Sequence, residues 1–256
     1  MIIKSKILFI VLSLVFITSA YSNSYKEYLL QGDEKYSKFD NKSALENYLL
    51  AYKLSPADYN VLFRLARTYN DLGEEYYEYH EKDSSRSMID YALKYSGKLV
   101  NNYPDSAASY AFLAMSYGNE ALYAGGKEEI KLAHKIEDNA KKSLELNPHQ
   151  YLSFVILGIY YRKIADLSWF ERLFADTFFG SVPEGTFEES VQMLNKALDL
   201  YPKTIVASYQ LALTYEAMGD KENETKVLKK LLTYPEQNFR DKFAIKKAKR
   251  KLQNLE

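Results

Sequence analysis

The side chains that most often carry chemistry in proteins are sparse in this chain. The 256 residues include no cysteine and only three histidines, His80, His134 and His149. No two of these histidines are four residues apart, so no helix face offers a pair of imidazole ligands to a metal ion. The lack of cysteine removes thiolate metal sites, cysteine nucleophiles and disulfides. We therefore predict no metal site and expect ordinary surface histidines.

Other patterns of catalytic or phosphate-binding sites are incomplete. The segment AGGKEE at 124–129 lacks the upstream glycine and the Ser or Thr after Lys127 that a phosphate-binding loop needs, so we interpret it as a turn. No G-x-S-x-G nucleophile motif occurs in the sequence. Adjacent acids such as Glu74 and Glu75 lie in a polar run, where nothing apolar raises a carboxyl pKa. The sequence predicts no catalytic residue, no cofactor and no enzymatic activity.

A five-residue pattern, which indicates how the helices are arranged, recurs along the chain. Leucine, a small residue, two variable residues and tyrosine occur at 65–69, 113–117, 157–161 and 211–215. A proline lies nine residues before each of these leucines, at Pro56, Pro104, Pro148 and Pro202. The small residue lets a second helix cross closely while the leucine and tyrosine pack beside it. The proline ends the preceding helix.

This pattern resembles the tetratricopeptide repeat (TPR), a helix-turn-helix unit with a small residue, a tyrosine and a terminal proline at set places. An earlier unit that ends at Pro56 matches through Gly32, Ala44, Tyr48 and Ala51. The prolines are 48, 44 and 54 residues apart, so each unit is larger than the usual repeat of about 34 residues. We predict an all-α fold, a TPR-like superhelix of about five enlarged helix pairs plus a C-terminal capping helix, in a single domain over 23–256.

The first helix of each pair is expected to line the concave surface of such a superhelix. The positions two residues before and after the repeat leucine are mostly apolar and are our candidate ligand-binding residues: Phe63, Ala111, Met115, Val155, Ile159, Tyr209 and Leu213. Leaving such side chains exposed costs roughly 1.5 to 3 kcal/mol each, so we expect something to cover them. The cover is either the protein itself, through its C-terminal helix or the insertion at 167–186, or a bound lipid, acyl chain or apolar peptide helix.

The insertion at 167–186 concentrates aromatic residues. Their spacing of three and four residues predicts an amphipathic helix followed by a turn at 181–186. We expect this helix to close over the groove as a lid, to touch a membrane or to dock on a partner. The predicted lid residues are Trp169, Phe170, Phe174 and Phe178.

A more specific likeness covers residues 164–202. The segments LSWFE at 167–171, FGS at 179–181 with Pro183, and TFEE at 186–189 resemble the regulator of microtubule dynamics family. The likeness continues more loosely at 211–232 and, by helix layout, over about 25–255. It implies an all-helical TPR-like domain without known catalytic residues. Members of that family are associated with microtubules and with lipid binding at membrane contacts.

The N-terminus is typical of a secretory signal peptide. Lys4 and Lys6 precede an apolar run from Ile7 to Ile17, and small and polar residues follow it. This run is far shorter than the about 20 residues that span a bilayer. We expect residues 1–22 to be a signal peptide and the protein to be exported to the periplasm or cell envelope. An N-terminal membrane anchor is the alternative.

The C-terminal residues 240–255 predict an amphipathic capping helix. Seven basic residues and one acid occur from Arg240 to Lys251, which indicates a basic outer face. This face either serves capping alone or contacts anionic lipid at a membrane surface. The whole chain is balanced, with 34 basic and 34 acidic residues, so we predict no nucleic-acid partner.

These observations predict an exported, non-enzymatic TPR-like protein whose apolar concave groove binds a lipid or another hydrophobic ligand. Since export keeps a protein from microtubules, we carry over from the resembling family only the lipid association. The alternative is a protein-interaction scaffold in a cell-envelope or transporter complex.

Overall fold

The computed structural model describes residues 25–168, 171–172, 175, 177 and 181–255. The predicted signal peptide at 1–22 lies outside these residues, so export stays a prediction. The predicted lid residues Trp169, Phe170, Phe174 and Phe178 lie outside them as well. Within the described residues, each helix is too short or too polar to cross a bilayer.

Helix pairs follow one another along the described chain, which contains no β-strand. The first helices of the pairs are α1 (25–37), α3 (Tyr59–Glu78), α5 (Ala107–Glu120), α7 (Tyr151–Ala165) and α9 (Ile205–Met218). The second helices are α2 (Asn41–Leu54), α4 (Lys82–Asn102), α6 (Lys127–Leu146), α8 (Phe187–Leu200) and α10 (Lys221–Leu231). A last helix, α11, spans Phe239–Leu255. This arrangement confirms the predicted all-α TPR-like superhelix.

The second helices of the first four pairs all end two residues before a proline. They end at Leu54, Asn102, Leu146 and Leu200. The residue before a proline is pushed out of the helical region by the proline ring, so a helix stops there. The next pair then begins after a short turn.

The small residue of each repeat lies where neighbouring helices approach most closely. Ala66, Ala114 and Ala212 are fully buried. A Cβ atom added to Gly158 of α7 would lie 2.5 Å from Cγ of Leu194 on α8. The Ser190 hydroxyl on α8 donates to the Gly158 carbonyl at 2.7 Å, across the same contact. The small residues therefore allow the backbones to approach, as the repeat pattern predicts.

A capping box opens α8. The backbone nitrogen of Glu189 donates to Oγ1 of Thr186 at 3.1 Å, and the Thr186 nitrogen donates to Oε2 of Glu189 at 3.0 Å. These bonds satisfy two amides that the helix itself leaves without acceptors. They fix the start of α8 directly after the turn of the insertion.

We expect Thr186→Ala to lower the free energy of unfolding by about 1 kcal/mol, because the first turn of α8 loses its acceptor. Urea unfolding measures the loss, and hydrogen exchange of the first amides of α8 locates it. Gln150→Ala is the control, since Gln150 is the N-cap of α7 but makes no side-chain capping bond. An equal loss in both variants would contradict the role of the capping bond.

Candidate functional site

A cavity of about 960 Å³ lies between α5, α7, α9 and α11, bordered by the end of α3, the beginning of α6 and described residues of the insertion, among them Leu167, Val182 and Pro183. Its volume is in the range of ligand sites, about 300 to 1,000 Å³. Apolar side chains from α5, α7, α9 and α11 line it: Met115, Leu152, Val155, Ile156, Ile159, Tyr209, Phe239 and Phe243. The superhelix thus keeps an apolar hollow on the side formed by the first helices of the pairs.

Four of the seven candidate ligand-binding residues line this cavity. They are Met115, Val155, Ile159 and Tyr209. Met115, Val155 and Tyr209 are each less than a tenth exposed, whereas Ile159 is partly exposed. Contact of these side chains with a ligand stays a prediction.

The other three candidate residues, Phe63, Ala111 and Leu213, do not line the cavity. The ring of Phe63 packs edge-on against Phe112 with 5.1 Å between centroids, which fills the junction of α3 and α5. Ala111 is fully buried. Leu213 packs in the apolar cluster that joins α9, α10 and α11. The prediction used only the position of each residue relative to the repeat leucine of its own helix. It could not show that a neighbouring helix covers these three positions.

Helix α11 covers part of the groove. Ala244 and Ala248 are buried against α9 and α10, so α11 caps the last pair as predicted. It also continues across to α3, and its Phe239 and Phe243 line the cavity. The sequence left open whether the protein itself or a bound ligand covers the apolar groove. The C-terminal helix of the protein covers part of it, and a cavity remains beneath this helix.

An ion-pair cluster anchors α11 to α3. Nη2 of Arg240 lies 2.7 Å from Oδ1 of Asp71, and Nε of Arg240 lies 2.5 Å from Oε2 of Glu74. The Asp71 side chain is 0% exposed. Burial of the Arg240 guanidinium lowers its pKa, but Asp71 and Glu74 outweigh burial and hold this pKa above its ordinary value. Lys247 pairs with Glu78 further along α3.

Helix α1 also joins this cluster. The Tyr36 hydroxyl donates to Oδ2 of Asp71 at 2.7 Å. Burial, and then the charge of Asp71, raise the pKa of Tyr36, so its hydroxyl keeps the proton that it donates. The guanidinium of Arg67 lies 3.6 Å from the centre of the Tyr36 ring. The first two helix pairs and the last helix therefore meet at Asp71.

Buried amides hold Glu74 in place for Arg240. Nδ2 of Asn119 donates to Oδ1 of Asn70 at 2.9 Å and to Oε1 of Glu74 at 3.3 Å. Nδ2 of Asn70 donates to the Ser116 hydroxyl at 2.9 Å. Since Asn70 is on α3 and Ser116 and Asn119 are on α5, these bonds fix the relative position of the two helices beside the cavity.

Charged and polar side chains surround the apolar centre. Glu129, Lys163, Asp166 and Glu171 border the cavity. Next to them, Nη2 of Arg162 donates to Oε1 of Gln210 at 2.6 Å, and burial lowers the Arg162 pKa. An apolar centre within a polar rim is suited to binding apolar groups that carry polar neighbours. Within the described part of the chain, no group of three or more His, Asp or Glu side chains is arranged to hold a metal ion.

Sequence reasoning missed most of the apolar wall. Leu152 and Ile156 of α7 and Phe239 and Phe243 of α11 line the cavity in addition to the predicted positions. One signal was available, because the run YLSFVILGIYY at 151–161 is apolar on every face of α7. For the two phenylalanines of α11, no local signal pointed to the groove.

Comparisons with known proteins identify relatives along almost the whole chain. A family model described as regulator of microtubule dynamics protein 1-3 matches residues 28–256. Mouse regulator of microtubule dynamics protein 1 is 27% identical over 218 residues, which cover 85% of this chain and 70% of the mouse protein. Human regulator of microtubule dynamics protein 2 is 25% identical over 195 residues, which cover 76% of this chain and 47% of the human protein.

A solved structure has the same fold. The crystal structure of a thermophilic TPR protein from Thermus thermophilus superposes with a TM-score of 0.67 at 21% identity. The match covers 90% of this chain and 99% of that chain, so the superhelix is shared along its length. The family model, which matches residues 28–256, shows that the chain belongs to the regulator of microtubule dynamics protein 1-3 family.

Proposed function

We propose that this protein is a protein-interaction scaffold whose cavity receives apolar side chains of a partner protein. The main observation that supports this proposal is the apolar cavity of about 960 Å³ that α5, α7, α9 and α11 form within a polar rim. Central apolar pockets with polar surroundings are the regions of protein interfaces that contribute most to affinity. The names of the matched relatives refer to microtubule dynamics, and for this chain we propose a protein partner without naming it.

The family and the fold support the scaffold over the lipid carrier that the sequence favoured first. TPR-like superhelices present a concave surface to other proteins. The predicted exclusion of microtubular partners depended on export, which rests on residues outside the described part of the chain. The comparisons give neither export nor membrane contact any support.

A hydrophobic small ligand is the second candidate function. The apolar lining favours it, because Met115, Val155 and Ile159 offer no partner to a polar ligand group at the centre of the cavity. Native mass spectrometry of protein purified from its own host tests this candidate. Contact of anionic lipid with the exposed lysines of α11, Lys242, Lys246 and Lys249, stays a prediction from charge alone.

We expect Ile159→Glu to weaken partner binding at least about tenfold, since the carboxylate must lose its hydration when apolar side chains of a partner fill the cavity. A photoreactive residue in place of Lys163, on the rim, captures the partner in cells. The affinity of the purified variants for that partner is then measured by calorimetry.

Leu50→Glu is the matched control, because Leu50 of α2 is 38% exposed and lies away from the cavity. Its affinity is expected to equal that of the wild type. Normal binding by Ile159→Glu, or equal losses in both variants, would contradict the proposed site. Loss of a bound lipid without loss of a protein partner would favour the second candidate.

A further inference from the structure

The side of α11 that faces the superhelix matches a row of acids on α3. Asp71, Glu74 and Glu78 follow one another at intervals of three and four residues, so they share one face of α3. Arg240 pairs with the first two carboxylates, and Lys247 pairs with Glu78. Two helices that are distant in the sequence thus meet through three acids and two bases.

The same part of α11 brings aromatic rings to the cavity. Phe239 and Phe243 are four residues apart and both line it. The ring of Phe243 also lies 5.5 Å from the ring of Tyr79, next to the end of α3. Residues 239–247 therefore occupy the groove as a bound amphipathic helix does, with apolar rings in the hollow and cations on the neighbouring carboxylates.

The two halves of α11 are held differently. Ala248 in the second half is fully buried with Leu228 and Leu231 of α10, so this half belongs to the core of the last pair. The first half adds Ala244 to the same core and Phe239 and Phe243 to the cavity. It reaches α3 through Arg240 and Lys247, and the Lys247 side chain is 42% exposed. Water replaces the partly exposed Lys247–Glu78 pair at little cost in free energy. Asp71 is fully buried, so a helix that displaces Arg240 must bring its own cation to Asp71.

We propose that residues 239–247 are a built-in ligand of the groove, and that a partner protein displaces them with a basic amphipathic helix of the same pattern. That helix carries two aromatic residues four positions apart and cations at the places of Arg240 and Lys247. The inference rests on the proposed function, because it assumes a protein partner. It adds that the groove is occupied by α11 until the partner arrives.

A labelled peptide with the sequence of residues 237–255 tests exchange at this surface in the full-length protein. We expect the Arg240→Glu/Lys247→Glu protein to bind it at least about tenfold more tightly than the wild type, because repulsion from α3 empties the groove. Lys246→Glu/Lys249→Glu makes the same charge change on the exposed face and is expected to bind like the wild type. A peptide that itself carries Arg240→Glu and Lys247→Glu is expected not to bind.

A second variant leaves the surroundings of Asp71 unchanged. Since the chain has no cysteine, Glu78→Cys and Lys247→Cys provide a single pair of thiols that a bismaleimide joins. We expect stronger peptide binding before joining than after it, and slower hydrogen exchange of residues 239–247 after joining. Equal binding before and after joining, or equal binding by the wild type and the charge-reversed protein, would overturn the inference.

The outcomes separate this inference from the proposed function. If the peptide binds as expected and Ile159→Glu binds the partner normally, the built-in ligand is supported. The cavity is then not the site of partner binding. Partner binding that depends on Ile159 but is unchanged by joining α11 to α3 supports the proposed function and removes the built-in ligand.

Discussion

Tyr48→Ala is expected to lower the free energy of unfolding by about 3 to 5 kcal/mol, as is usual when a buried aromatic side chain is removed. Tyr48 of α2 is fully buried. Its ring lies so close to α1 that a Cβ atom on Gly32 would be 2.3 Å from Cε1 of the ring. In this variant the first helix pair therefore loses the ring that packs against Gly32. Urea unfolding followed by circular dichroism measures the change.

Tyr48→Phe separates the hydroxyl from the ring. The Tyr48 hydroxyl donates to Oδ1 of Asp33 at 2.7 Å, so we expect Tyr48→Phe to cost about 1 kcal/mol. If Tyr48→Ala cost no more than Tyr48→Phe, packing of the ring on Gly32 would not be the main contribution. This result would contradict the close approach of α1 and α2.

The effect of removing the Tyr48 hydroxyl on the free energy of unfolding is expected to depend on pH. Burial raises the pKa of Asp33, but bonds from Arg64 and Tyr48 outweigh burial and hold this pKa below its ordinary value. As the pH falls, Asp33 is therefore protonated in the unfolded chain, at a pKa of about 4, before it is protonated in the folded protein. Asp33 adds stability above that pH, and the contribution is lost as the pH falls through the folded-state pKa. We expect Tyr48→Phe to show a weaker loss of stability with acid than the wild type.

Gly158→Ala is expected to destabilise the fold by about 2 to 3 kcal/mol through overpacking. The added methyl would lie 2.5 Å from Cγ and 2.8 Å from Cδ2 of Leu194. Leu194 is fully buried, so its side chain cannot turn out into solvent. Helix α7 must therefore move away from α8, which also loosens the wall of the cavity. Thermal and urea unfolding measure the loss.

Gly97→Ala is the matched control for Gly158→Ala. A Cβ atom at Gly97, in the middle of α4, would meet nothing within 4 Å. We expect this variant to gain about 0.5 to 1 kcal/mol, since alanine favours the helix more than glycine does. Combining Gly158→Ala with Leu194→Ala removes the clash, so the double variant should lose less than the sum of the single losses. Additive losses would show that Gly158 and Leu194 do not compete for space.

The repeat residues made the helix pairs predictable. The small residues Ala66, Gly158 and Ala212 are buried where helices cross, and helices end two residues before Pro56 and the three later repeat prolines. These signals act within one or two helical turns, so the sequence carries them without knowledge of distant contacts. Membership of the regulator of microtubule dynamics protein 1-3 family was readable from residues 164–202 for a similar reason, because its motif is continuous in the chain.

The site was predictable only in part. Met115, Val155, Ile159 and Tyr209 line the cavity where periodicity placed the groove. Periodicity shows which face of a helix is apolar but not which neighbour covers it. It therefore places Leu213 in the groove, whereas Leu213 packs against α10 and α11. The sequence predicts that the basic residues of α11 form an outer face, but Arg240 and Lys247 pair with acids of α3.

By itself, the sequence determined the all-α class, the repeat boundaries and the small residues at the crossings, because each depends on sterics between residues that are close in the chain. The tertiary structure alone decided that α11 returns to α3 and that Arg240 neutralises the buried Asp71. That contact joins residues far apart in the chain. Asp71 is out of reach of water, and it gains a partner for its charge only when the superhelix brings α3 and α11 together.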